Sequence, residues 1–167
     1  MKAGRWTTAA GLLLAAGAAM GQAAPATYTV RLLTPEAAQK AVNAALQECR
    51  KGGFQVAVAV VDRAGVAQAM VRDRFAGAHT PDVAVNKAWT AVSFRTDTTE
   101  LAKATQPGQV SSGLRNVPRF TAVGGGVAIQ AAGSVIGAVG VSGAPSGDAD
   151  DACAKAGIAT VQDELEM

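Results

Sequence analysis

Histidine occurs once in the 167 residues, cysteine twice, and aromatic residues make up only 4%. One imidazole and two distant thiols cannot assemble a structural zinc site of the usual kind within one chain. The lone His79 makes a Ser-His-Asp triad arithmetically allowed, but no spacing points to one. Also missing are a GxGxxG run opening a helix after a strand, a P-loop, an HExxH motif and a G-x-S-x-G elbow. Familiar hydrolase and dehydrogenase readings are therefore excluded. Charged residues are few, at 17%, while hydrophobic residues reach 49%, a balance too apolar for a disordered chain. Nineteen glycines show no three-residue period, which excludes collagen. After the N-terminal segment no run approaches the ~18 apolar residues that a membrane helix needs. The length suits one domain.

The first residues read as an address. Lys2 and Arg5 form a short positive region, and Ala9 to Met20 is apolar but too short to span a bilayer. Gly21-Gln22-Ala23 then sets small residues at the −3 and −1 positions of a signal-peptidase site. Cutting after Ala24 would leave Pro25 just downstream, so cleavage is expected after Ala23. An uncleaved anchor is the alternative. Residues 1–23 read as a signal peptide predict an exported, soluble mature chain, periplasmic or secreted. Of the 15 Lys and Arg, two lie in that segment, leaving 13 against 13 acidic residues. No large positive field remains, which argues against a nucleic-acid partner.

Residues 24–27 read as a flexible leader and Tyr28 to Leu33 as a short first strand. Thr34-Pro35-Glu36 is a helix start: a hydroxyl cap, proline at the first helical position and an acid near the positive dipole end. The helix runs to about Lys51, with Ala38, Ala41, Val42, Ala45, Leu46 and Cys49 on one apolar face, and Gly52-Gly53 ends it. Phe54 to Asp62 is nearly continuously apolar and β-branched, a central strand. Val66 to Arg72 returns antiparallel. A second helix opens at Thr80-Pro81-Asp82 and runs to about Phe94, a shorter one covers Thr98 to Ala104, and Gln106 to Gly126 is mostly loop. A second hairpin pairs Val127–Ala131 with Ser134–Ser142. The last helix follows Ser146, carries Asp148, Asp150 and Asp151 as first-turn charge, and reaches about Leu165. The order predicts one α+β domain: a single antiparallel sheet built from two hairpins, with flanking helices, over residues 34–167.

Several motifs, read in order, resemble the GlcG/HbpS-like family of haem-binding proteins, which includes the C-terminal domain of PduO-type proteins. They are Val56-Ala-Val-Ala-Val-Val-Asp62 with Gly65, Asn86-Lys87-Ala88 with Thr90-Ala91, and Leu101 with Gln106-Pro107-Gly108. Gly124-Gly125-Gly126, Val135 to Gly143 and Ala156-Gly157 complete the set. Each is weak alone; their order and spacing are specific, covering about Leu33 to Leu165. The resemblance implies a profilin/roadblock-like sandwich in symmetric oligomers that binds haem in a pocket or at a subunit interface. Some relatives are linked to haem or iron sensing, and the label "haem-degrading" attaches to others.

His79 is the candidate axial ligand of haem iron, because neutral imidazole is the commonest protein ligand for it; the alternative is an exposed loop histidine. Met70 is a second soft ligand type, although a methionine in an apolar strand reads as core. Lys87, which the family pattern shares, is a candidate partner for a haem propionate, against a salt bridge or solvated helix face. Arg72 and Arg74 offer the same chemistry. Gly124, Gly125 and Gly126 present backbone without side chains, either for a flat or anionic ligand or as a tight turn before a strand. Phe75 is a candidate stacking wall, and Trp89 reads as core.

Cys49 lies near the end of the first helix and Cys153 in the first turns of the last. If those helices pack antiparallel on one sheet face, the thiols come level and a disulfide is expected in an oxidising compartment. Parallel packing, or opposite faces, leaves two buried free thiols. Three functions stay open. The first is an exported module that binds, stores or passes on haem or its iron. The second is a haem-degrading or other small-molecule redox enzyme using His79 and Lys87. The third is a structural homo-oligomer subunit with a vestigial pocket. The lack of an acid–base constellation favours the first.

Overall fold

Thr34 opens α1 (Pro35–Lys51) through its hydroxyl, which accepts the Ala37 amide at 3.2 Å, with Pro35 following and Glu36 in the first turn. At the other end the Gly53 amide donates to the Arg50 carbonyl at 2.9 Å and the Phe54 amide to the Cys49 carbonyl at 3.0 Å. That double closure needs a left-handed residue, and Gly53 supplies it at φ 76°. The computed structural model describes residues 25–166. By its contacts the described chain from Arg31 onward forms one compact unit. The expected signal peptide over residues 1–23 lies outside the described residues. Residues 25–33 hold neither helix nor strand, so the short strand expected over Tyr28–Leu33 is absent.

Four strands follow the expected hairpins: β1 (Ala57–Asp62), β2 (Ala67–Arg72), β3 (Gly126–Ala131) and β4 (Ser134–Ser142). They form one antiparallel sheet in the order β2-β1-β4-β3, joined at the centre by Ala57 opposite Ser142 through Asp62 opposite Gly137. β1 starts later than Phe54, because residues 54–56 lead out of the α1 closure before the ladder begins. Alternation along β1 then serves two helical layers. Val58 and Val60 join one buried cluster with Val42, Leu46 and Val139 under α1. Ala57, Ala59 and Val61 face Ala84, Ala88 and Ala91 of α2 (Thr80–Phe94). Small residues on that second face let α2 come close. A methyl on Gly140 would collide with the Ala84 carbonyl, and one on Gly126 would sit 2.5 Å from the Lys87 carbonyl.

α3 (Thr98–Ala104) and a short 3₁₀ turn over Ser112–Asn116 precede β3. The last helix is broken in two, α4 (Gly147–Ala159) and α5 (Gln162–Glu166). Thr160 caps the break, its hydroxyl donating to the Gly157 carbonyl at 2.8 Å while Val161 is buried in the core. α1 and α4 run antiparallel side by side: Cys153 is bonded to Cys49 with Cα atoms 5.4 Å apart, and one turn on Gly157 packs on Ala41 and Ala45. Small residues along that seam allow the bridge. Among the described residues no helix is long and apolar enough to cross a membrane.

Candidate functional site

Where β1 begins and β4 ends, the loops 53–55, 75–80 and 142–147 enclose a cleft of about 680 Å³. That volume lies within the roughly 300–1,000 Å³ of small-molecule and cofactor sites. His79 stands at the N-cap of α2 and is exposed. Gly77 makes room for its ring, since a methyl there would meet the imidazole Cε1 at 2.7 Å. Phe75 lines the same cleft at 79% exposure, with Phe54, Val83 and Val123 adding apolar wall. Thr80 anchors the loop by donating its hydroxyl to the Gly77 carbonyl at 2.8 Å and is the first residue of α2.

Lys87 and Asp150 line the buried end of the cleft. The Lys87 ammonium donates to Asp150 Oδ2 at 2.7 Å and to the Val141 carbonyl at 2.9 Å. Asp150 also accepts the Ala144 amide at 3.0 Å. Burial pushes the Asp150 carboxyl above its ordinary range, opposed by the bond from Lys87. Its neighbour Asp151 accepts the Gly125 amide at 2.5 Å and the Thr99 hydroxyl at 2.6 Å. Thr98 accepts the Gly126 amide at 2.8 Å. The two aspartates are thus buried clamps between α4, α2 and the glycine run, not merely first-turn charge.

The structure brings His79, Phe75 and Lys87 to one cleft. Gly124, Gly125 and Gly126 are buried behind it, and their amides at 125 and 126 are taken by Asp151 and Thr98. A methyl on Gly125, at φ 114°, would lie 2.5 Å from the Val141 carbonyl and 2.9 Å from Lys87 Nζ. Arg72 lies outside the cleft and donates to the Ala76 carbonyl, bracing the loop that presents Phe75. Arg74 lines an adjoining hollow. Met70, which reads as core in the sequence, is 49% exposed because β2 is an edge strand. Trp89 is half-buried, not core, with the Arg119 guanidinium 4.9 Å over its ring. Asp150, Asp151 and Gln55 are site residues that sequence reasoning misses; a first-turn acid carries no local sign of burial.

The chain resembles several known proteins. HbpS of Streptomyces reticuli, solved as a double mutant, is 39% identical with a TM-score of 0.76, covering 83% of this chain and 97% of that one. PduOC, solved in complex with haem, is 31% identical with a TM-score of 0.73, covering 77% and 94%. An uncharacterized 15.0 kDa protein of Citrobacter freundii, from the dhaT-dhaS intergenic region, is 37% identical over 116 residues, 68% of this chain and 82% of that one. The family described as "Haem degrading protein HbpS-like" matches residues 33–159. That span runs from Leu33, buried ahead of α1, to the end of α4 and takes in the whole sheet and cleft. The chain belongs to the HbpS-like family.

Proposed function

We propose that the protein is an exported haem-binding module that binds, stores or passes on haem or its iron, using the cleft beside α2. One observation carries this reading: the chain's single histidine stands exposed at the mouth of a cleft of about 680 Å³, beside a Phe75 ring left 79% exposed. An exposed imidazole suits an iron ligand, and exposed aromatic surface suits a flat apolar partner. The complex of PduOC with haem and the family description support the same ligand.

The residues fit the group. Bound, haem contributes an apolar macrocycle, an iron with axial positions and two carboxylates. His79 would hold the iron. Phe75, Val83 and Val123 would cover the ring and exclude water. Lys87, already neutralised by Asp150, would leave the inner end of the cleft without net charge. No acid–base pair stands at the mouth, which favours holding the ligand over turning it over. The buried Cys49–Cys153 bridge supports export, since disulfides persist in oxidising compartments. Self-association is proposed too, because edge strand β2 leaves Met70 at 49% exposure and Val66, just before it, at 59%. Light scattering showing only monomer at tens of micromolar would reject that part.

Haemin titration with absorbance detection tests the main reading. The wild type is expected to shift the Soret band at micromolar haemin. His79→Ala is expected to move the band and to weaken binding by about tenfold or more, as loss of an iron ligand should. A wild type that leaves the Soret band unmoved rejects haem binding; an unchanged His79→Ala spectrum and affinity removes His79 alone. Bleaching with ascorbate and oxygen would instead assign haem degradation.

A further inference from the structure

Next to the cleft lies a hollow of about 320 Å³ formed by Arg50, Gln55, Asp73, Arg74 and Phe75. Gln55 and Phe75 line both cavities, so the two adjoin across these side chains. The chemistry changes there from apolar to cationic. Arg50 is committed: its Nε and Nη2 bond the two Asp73 carboxylate oxygens at 2.8 and 2.9 Å. That pair cancels in charge and leaves Arg74 as the net positive group. The Arg74 backbone amide donates to Asp73 at 2.8 Å, but its guanidinium has no hydrogen-bond or ion-pair partner among the described residues.

Gln55 adds an independent observation. Its side-chain oxygen is buried without a hydrogen bond, alone among the side-chain polar atoms of the described residues. A buried amide end without a partner is unfavourable whichever way round the amide is turned. The amide nitrogen of Gln55 likewise has no hydrogen-bond partner among the described residues, which leaves an NH₂ donor unpaired at the hollow. A fork of guanidinium donors beside an unpartnered amide matches a carboxylate. Lys87 does not compete for that role, since Asp150 already neutralises it.

Resting on the haem reading, we infer that this hollow is the carboxylate end of the site, with Arg74 and Gln55 receiving a propionate at the porphyrin edge beside Phe75. The site then selects porphyrins that carry free carboxylates. Haemin and haemin dimethyl ester, which differ only in those groups, test this by Soret titration of the full chain. Wild type should bind haemin at least about tenfold more tightly than the diester, a size typical of a charge-assisted pair. Arg74→Ala should abolish that preference by weakening haemin alone, with the Soret position unchanged, and Arg74→Lys should restore part of it. Gln55→Leu should weaken haemin and leave the diester unaffected. Matched near-ultraviolet circular dichroism confirms that the variants fold. Equal binding of both porphyrins by wild type, or a preference that survives Arg74→Ala, overturns the inference and leaves haem binding standing. No Soret change with either porphyrin overturns both.

Discussion

Asp150→Asn is the most informative single change, because it removes one charge of a buried pair and keeps the side chain's size. In the wild type Lys87 is 2% exposed and Asp150 3% exposed, with 2.7 Å between their charged atoms. Asparagine can still accept the Ala144 amide through one oxygen, so that bond survives. What disappears is the compensation of the Lys87 charge, whose other partner among the described residues is the Val141 carbonyl. Leaving one charge of a buried pair uncompensated costs about 3–5 kcal/mol. Against a total stability of roughly 5–15 kcal/mol for a domain, that loss moves the unfolding midpoint visibly. Urea unfolding followed by circular dichroism at constant m measures it. Lys87→Met added to Asp150→Asn removes the stranded charge, so the double variant should be more stable than Asp150→Asn alone by about 1–3 kcal/mol. An Asp150→Asn variant within about 1 kcal/mol of wild type, or a double variant whose losses simply add, refutes the clamp.

Two further outcomes follow from the same geometry. Replacing Cys49 and Cys153 together by alanine opens a loop with a sequence separation of 104, which the chain-entropy relation puts at about 4.7 kcal/mol as an upper figure; denaturant unfolding with no loss beyond about 1 kcal/mol would refute that role. The Arg50 hydrogen bonds hold the Asp73 carboxyl down to about 2 from an ordinary 3.8. A folded-state value below the unfolded one adds stability that is complete above about pH 4 and is lost as pH falls through about 2. Asp73→Asn should therefore be less stable than wild type near neutrality, with the gap closing across that acid window. A gap that stays constant from about pH 5 to pH 2 would show that Asp73 does not carry it.

Local rules explain most of what was legible in the sequence. Thr34-Pro35-Glu36 started α1 and Gly52-Gly53 ended it, because caps act within one turn and need no distant partner. The two hairpins followed from apolar, β-branched runs separated by the short turns at Arg63-Ala64-Gly65 and Ala132-Gly133, which neighbouring residues also decide. Even the Cys49–Cys153 bridge was open to argument, since helix ends and sheet faces restricted where the thiols could meet. His79 and Phe75 were singled out by chemical type, and Lys87 by charge and by a position that the family pattern shares.

Tertiary structure decided what those groups touch. Asp150 and Asp151 look like dipole charges in a string, yet α4 carries both into the interior against Lys87, Thr99 and Gly125. Met70 sits in an apolar run but faces out, because only the strand order puts β2 at the sheet edge. The unpartnered Gln55 oxygen exists only once the start of β1 is seated beside the Asp73 loop. Capping and periodicity are properties of adjacent residues, so composition and spacing reveal them. Burial and pairing across 63 residues, as between Lys87 and Asp150, depend on which elements the whole chain packs together, and only the folded molecule determines that.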